Sequence, residues 1–535
     1  MPGGRELAVL SRRLLSGSPR PQAAAALPRP LEAARPFAQI PRPRRPDGDH
    51  LADLARAGGP SRLHELVDGR HRQLGGLFVE SIQGAEVVFV ADSELIRQVL
   101  QRDAACPQFL VPQAWTVFNQ LHGCQRGLFF MTGEHWKHHR RIMNNYLLKP
   151  SAHRHTAAFN QVVSGLLSRW ESQLDGRVTR TEDELYTYSV EIMAAVLFGP
   201  GQSFGWVDGA PTEATDTRRF AALVRRIFST SAALSTTDAA AAARRGTPEW
   251  REFEQAVQEG LDICRNYVER KLTEVEAQLA AGEPTTGIIA EMLQNGEDVS
   301  REEIVRIVAD LFLAAGDTTA HSTSWALYQL GRDGALQRRL AAAVRRAVPA
   351  GSPTISSEQL ERVPLVRAVV KETLRLYPVA PFLTRLIQSD TVIGGYHVPA
   401  GTPLCVSLFS SSRDSRYFPA PLQFLPERWL RLDGRGAGAG AGAGGCPVHG
   451  QLGPLAGSTH SESGLRHRHA CMPFAGGVRG CIGKRVAELQ MQLLLARLVH
   501  QFQLGTENRR PAQFVMRMVG VMSDELQLTL RPRDD

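Results

Sequence analysis

The ten residues Phe474-Ala-Gly-Gly-Val-Arg-Gly-Cys481-Ile-Gly483 run directly into an uninterrupted amphipathic helical pattern from Lys484 to about Gln503. A cysteine therefore stands at the N-terminus of a predicted helix, inside a glycine-rich loop. The helix dipole and unpaired backbone N–H groups lower a thiol pKa there, and glycines let the backbone approach a flat partner closely. A thiolate so held serves as an axial haem ligand, an oxidation sensor or a nucleophile. A nucleophile wants a neighbouring base, which this stretch does not specify, so haem ligation fits best.

The same stretch resembles the cytochrome P450 family, whose Phe-x-x-Gly-x-Arg-x-Cys-x-Gly pattern is matched by Phe474, Gly477, Arg479, Cys481 and Gly483. The resemblance implies haem b (iron protoporphyrin IX) bound through Cys481, and the mainly α fold of that family, a triangular helical prism enclosing the haem. It extends to Glu372-Thr-Leu-Arg375 and to Pro426-Glu-Arg428-Trp429, which supply Glu372, Arg375 and Arg428 as a structural Glu-Arg-Arg triad. Trp136 and Arg140, one helical turn apart, match the family's Trp-x-x-x-Arg. With Arg385 and Arg479 they are expected to meet the haem propionates.

Ala314-Ala-Gly316-Asp317-Thr318-Thr319 is similar to the family's oxygen-activation motif, with Ala315 in place of the usual second-position glycine. Splitting O₂ needs protons delivered to the distal oxygen, which an acid and an alcohol side by side in a locally opened helix relay through water. Asp317 and Thr318 are the expected catalytic pair, with a kink at Gly316. A back-bonded threonine beside a solvated aspartate is the plainer alternative for the hexapeptide alone.

The rest of the chain supports a mainly α fold with a smaller β portion. Its 535 residues are 43% hydrophobic and 22% charged, which excludes disorder or fibrous structure for the whole chain. Gln83-Gly84 between two apolar runs predicts a hairpin, and Asp92 or Ser93 a helix cap. Ser300 and Glu303 form a capping box opening a predicted helix of roughly thirty residues to about Arg332. Helix is also predicted over 357–376, while 199–217 and an Ala-rich stretch at 239–243 interrupt the helical pattern. Residues 434–470, with Gly-Ala repeats, are expected to form a disordered insertion in a single catalytic domain, 46–535.

Net charge is +8, of which the first 45 residues contribute 9 − 2 = +7, from nine Arg against Glu6 and Glu32. This leader reads as a disordered mitochondrial transit peptide over 1–45 rather than a nucleic-acid-binding tail. No apolar run of about 18 residues suggests an anchor, and seven scattered cysteines without zinc spacing fit a reducing compartment.

Arg367 and Lys371, one turn apart, with Lys484 and Arg485 beyond the cysteine, form a basic patch expected on the proximal side. Mitochondrial members of the family are similar in this respect. The resemblance implies an adrenodoxin-like ferredoxin docked there, electrons from NADPH through ferredoxin reductase, O₂ as co-substrate, and a peripheral location on the matrix side of the inner membrane. The segments 374–385, 394–401 and 517–533 resemble the shadow-type ecdysteroid 2-hydroxylases of arthropods, implying conversion of 2-deoxyecdysone to ecdysone. Other mitochondrial hydroxylases, 11-beta-hydroxylase-like or vitamin D hydroxylase-like, are the alternative. A haem-thiolate isomerase and a non-catalytic lipid binder are argued against by Asp317-Thr318 and the basic patch. Phe382 and Leu383 are named as substrate contacts.

Overall fold

The computed structural model describes residues 33–44, 50–82, 84–148, 155–173, 176–204, 216–430 and 467–533. Seven helices carry the site: α1 (Gly133–Leu147), α2 (Thr181–Phe198), α3 (Asp216–Leu234), α4 (Pro248–Ala280), α5 (Arg301–Arg332), α6 (Pro364–Leu376) and α7 (Lys484–Gln501). The fold is mainly α with small sheets, as the sequence pattern requires.

Helix α5 begins where the capping box places it: the Ser300 side chain accepts from the Glu303 N–H while Glu303 returns a bond to the Ser300 backbone. Its 32 residues span about 48 Å at 1.5 Å each, and α2, α3, α4, α6 and α7 all pack against it. Such a beam is apolar on most of its circumference because it is enclosed. Asp310, a polar interruption of its apolar run, is buried but not orphaned. It accepts from Arg126 Nε at 2.9 Å and from the Gly127 N–H at 2.6 Å, so α5 is pinned to the chain entering α1.

Among the described residues the β portion is one four-stranded sheet and three smaller ones. Strands β1 (Leu77–Ile82) and β2 (Ala85–Val90) form the hairpin expected about Gly84, whose φ of 82° suits glycine. Later come β3 (Arg177–Val178), β4 (Phe382–Leu386), β5 (Thr391–Ile393), β6 (Tyr396–Val398) and β7 (Pro403–Ser407). Strand β7 lies parallel to β2 and antiparallel to β4, giving the order β1-β2-β7-β4. Strand β4 thereby carries Arg385 inward, where it is 2% exposed.

Three expectations are corrected. The Ala-rich stretch is a helix, Ala239–Arg245, because alanine is the strongest helix former and Asp238 caps it, accepting from the Ala240 and Ala241 N–H groups. The helix expected over 357–376 is two, broken before Pro364, which also fills the first position of α6. The boundary at 46 is too late. Arg35 exchanges backbone bonds with Gly395 and His397, Pro41 accepts from the Val79 N–H, and Ile40 is 2% exposed against the sheet. The leader before residue 33 and most of the 434–470 insertion lie outside the described residues.

Candidate active site

The cysteine loop is shaped by its glycines. A Cβ on Gly477, whose φ is 70°, would stand 2.8 Å from an Asp103 carboxylate oxygen, so only glycine fits there. The Cys481 N–H donates to the Phe474 carbonyl at 2.8 Å, closing the loop over its own ends. Gly483 precedes α7 and offers no side-chain cap, leaving first-turn N–H groups free. Those of Gly483 and Lys484 donate to the Cys481 sulfur.

Of the six described cysteines, Cys481 alone is exposed. Protein nevertheless crowds its sulfur, and burial pushes the thiol pKa up, with the two N–H groups and Arg140 opposing that rise. This corrects the expectation of a lowered pKa: the desolvation cost exceeds the dipole's contribution.

Three guanidinium groups converge on this loop. Arg140, on α1, donates to Asn144 at 2.8 Å and to the Gly480 carbonyl. Arg479 stacks over the buried indole of Trp136, 3.7 Å from the ring centroid, and donates to the Met131 carbonyl at 2.9 Å. Arg385 forms a two-point pair with Asp103 at 2.9 and 3.1 Å and reaches the Gly476 carbonyl. Asp103 is the only carboxylate these contacts supply. Burial, then the charges of Arg140 and Arg385, pull the Arg479 pKa down to about 10. Three guanidinium groups with one carboxylate between them, beside the Cys481 thiol, suit a flat metal-bearing dianion: Cys481 would hold the iron of haem, and Arg140, Arg385 and Arg479 its carboxylates.

On α5 the two expected catalytic residues face different surroundings. Asp317 is 3% exposed; one of its carboxylate oxygens lies 3.4 Å from His321 Nε2 and the other has no hydrogen-bond partner. Burial lowers the His321 pKa, but the charge and hydrogen bond of Asp317 outweigh it and the net shift is upward. Thr318 is half-buried and donates its hydroxyl to the Ala314 carbonyl at 2.9 Å. Ala314 is exposed and Ala315 half-buried in a helix otherwise enclosed at this level, so residues 314, 315 and 318 form an open strip. The helix runs from 301 to 332 and passes through Gly316 without a break in its assignment. Asp317 is also no solvated residue: Tyr186 of α2 and His321 enclose it.

The Glu-Arg-Arg triad is assembled as expected. Glu372 and Arg375 have fully buried side chains and pair at 2.8 and 2.9 Å, while Arg428 Nε reaches the same carboxylate at 2.9 Å. Trp429 Nε1 and the Leu425 N–H donate to it as well, at 2.8 and 2.9 Å. Trp429 follows Arg428 directly, so its role was readable from the same motif.

Arg367 and Lys371 of α6 and Lys484 and Arg485 of α7 are all exposed. They share Glu488, whose pKa burial raises against the lowering pull of all four cations. The patch is therefore one surface rather than two. Phe382 and Leu383, on β4, are half-buried. Phe382 packs against the Phe78, Phe89 and Cys405 cluster, and Leu383 against the cluster of Val88, Leu404 and Val406.

Comparison with known proteins accords with this geometry. The model of the cytochrome P450 family matches residues 52–530. The chain is 34% identical to the Drosophila melanogaster protein named cytochrome P450 315a1, mitochondrial, over 95% of this chain and 91% of that one. It is 30% identical to cytochrome P450 11B2, mitochondrial, of Mesocricetus auratus, over 93% of each. Sterol 26-hydroxylase, mitochondrial, of Rattus norvegicus is 29% identical over 90% of this chain and 87% of the relative. Among the described residues, no helix is long and apolar enough to cross a membrane.

Proposed function

The chain belongs to the cytochrome P450 family of haem-thiolate monooxygenases, and from that premise we propose that it hydroxylates an ecdysteroid at carbon 2, turning 2-deoxyecdysone into ecdysone. The observation that carries this reading is the likeness to cytochrome P450 315a1 over 95% of the chain, joined to the segments 374–385, 394–401 and 517–533 of its own sequence. Haem b, held by Cys481, would supply O₂ activation. One oxygen atom enters the C–H bond and the other leaves as water, with two electrons and two protons consumed.

The chain's own residues hold, charge and exclude. Cys481 would hold the iron as a thiolate, because a bound cation offsets the cost that burial imposes on the charged sulfur. Arg140, Arg385 and Arg479 fix the orientation of a planar dianion, and Trp136 keeps the Arg479 guanidinium flat against it. Asp317, enclosed with His321, is the proton reservoir, and the Thr318 hydroxyl moves protons once it releases the Ala314 carbonyl.

Electrons arrive from NADPH through a reductase and an acidic ferredoxin docked on Arg367, Lys371, Lys484 and Arg485. The protein works in the mitochondrion, peripherally on the matrix face of the inner membrane. The test is turnover of 2-deoxyecdysone by the purified protein with mitochondrial ferredoxin, its reductase and NADPH, with products resolved by position of the new hydroxyl. A 2-hydroxyl product is expected. Oxygen at another carbon, or turnover of a vertebrate-type steroid alone, overturns the ecdysteroid reading and leaves the monooxygenase.

A further inference from the structure

We propose that His135, His139 and Glu303 form a binding site for a divalent transition-metal ion, Zn²⁺ by the chemistry of its donors, clamping α1 to the first turn of α5. The site is separate from the haem ligand: it is built from the outer side of α1 and the start of α5.

His135 and His139 are i and i+4 on α1, so both imidazoles leave one face of the helix. Their Nε2 atoms lie 3.0 and 3.1 Å from the same carboxylate oxygen, Glu303 Oε1, and the three ligand atoms lie within 4.8 Å of one another. Ligand atoms around a tetrahedral zinc stand about 3.4 Å apart, given bonds of about 2.0–2.1 Å. The cluster needs only small shifts to accept the ion.

Two of the three donors, His139 and Glu303, are already oriented. His139 Nδ1 donates to the His135 carbonyl at 2.9 Å, which places the proton on Nδ1 and leaves the Nε2 lone pair for a metal. That Nε2 is buried and has no hydrogen-bond partner, in a side chain only 3% exposed. A lone pair facing a carboxylate oxygen across such a distance is acceptor against acceptor, and a cation between them resolves it. Glu303 Oε2 is held by the Ser300 N–H and hydroxyl at 2.8 Å each, which fixes Oε1 towards the imidazoles. Two imidazoles and one carboxylate select zinc over magnesium or calcium, with water completing the shell.

His138, between the two ligands, points elsewhere: its Nε2 meets the Asp298 carbonyl at 2.8 Å. It is the internal control. The experiment uses the full-length, haem-loaded protein stripped with a chelator and then dialysed against buffered Zn²⁺. Histidines elsewhere bind equally in every variant, so the reading is a difference. Wild type should bind one more zinc than His135→Ala or Glu303→Gln, with affinity at that site falling at least about tenfold in each, while His138→Ala matches wild type. His135 is 51% exposed and Gln still serves the capping box, so both variants keep their fold. Zinc should raise the melting temperature of wild type and of His138→Ala but not of the other two. Equal zinc content and affinity across all four proteins, or a loss in His138→Ala as large as in His135→Ala, overturns the proposal.

Discussion

The hydroxyl end of Tyr186 abuts the bare backbone of Gly316, so close that a methyl group there would stand 2.4 Å from the ring carbon Cζ and 2.8 Å from the hydroxyl. Gly316 is thus required by the packing of α2 on α5. Gly316→Ala should destabilise the protein by about 1–3 kcal/mol through overpacking. Combined with Tyr186→Ala, which opens a cavity of its own, the loss should be less than the sum of the singles. Urea unfolding of the four proteins measures it, and strict additivity would remove the contact from the account.

The Glu372 carboxylate accepts five hydrogen bonds, from Arg375, Arg428, Trp429 and the Leu425 backbone. Glu372→Ala strands two guanidinium groups, one of them fully buried, and should cost about 3–5 kcal/mol. Trp429→Phe removes one donor and should cost about 1–2 kcal/mol. Denaturant midpoints separate the two, and the order of the losses is the prediction.

Cys481→Ala removes the sulfur to which the Gly483 and Lys484 N–H groups donate. The variant should lose the thiolate-type carbonyl band of the reduced haem protein. Retention of that band would reassign the ligand.

Arg367→Glu with Lys371→Glu inverts half of the exposed basic surface around Glu488. Reduction by ferredoxin should slow and lose much of its salt dependence, with substrate-binding spectra unchanged. An unaltered salt dependence would place the electron donor on another face.

His64 sits between the edges of Phe409 and Phe514, with ring centroids 4.7 and 4.8 Å away. Burial, then the charge of Arg413, lowers its pKa from 6.5 to about 4. Between those values the unfolded chain binds the proton and the folded one does not. The stability held by the neutral ring is therefore complete above pH 6.5 and drains away as the solution is acidified towards pH 4, at a limiting slope of about 1.4 kcal/mol per pH. His64→Leu should flatten that acid limb in a pH series of melting temperatures; an unchanged limb would exclude His64 as its source.

Sequence reading succeeded where one short stretch carries its own geometry. The Ser300–Glu303 capping box, the Asp92 cap, the Gly84 hairpin and the Glu372–Arg375 pair need no distant partner, and each is found in place. The spread-out parts were less legible. Asp103 neutralises Arg385 across 282 positions, and no local pattern marks it. His135 and His139 are ordinary helix residues until Glu303, on another helix, is brought against them. The Cys481 pKa went the opposite way because the dipole of α7 is readable in sequence, whereas the atoms that desolvate the sulfur come from the assembled fold. The Ala239–Ala243 stretch misled for a different reason: alanine has no pattern to show, only propensity.

The backbone of residues 35–41 joins two sheets, Arg35 bonding beside β6 and Pro41 to Val79 of β1, with the Ile40 side chain buried between them. Removing residues 35–41 therefore unpicks the edges of the sheets they join. The same applies to any shortened version made for crystals or assays: one starting at residue 46 would expose the seam that Ile40 seals.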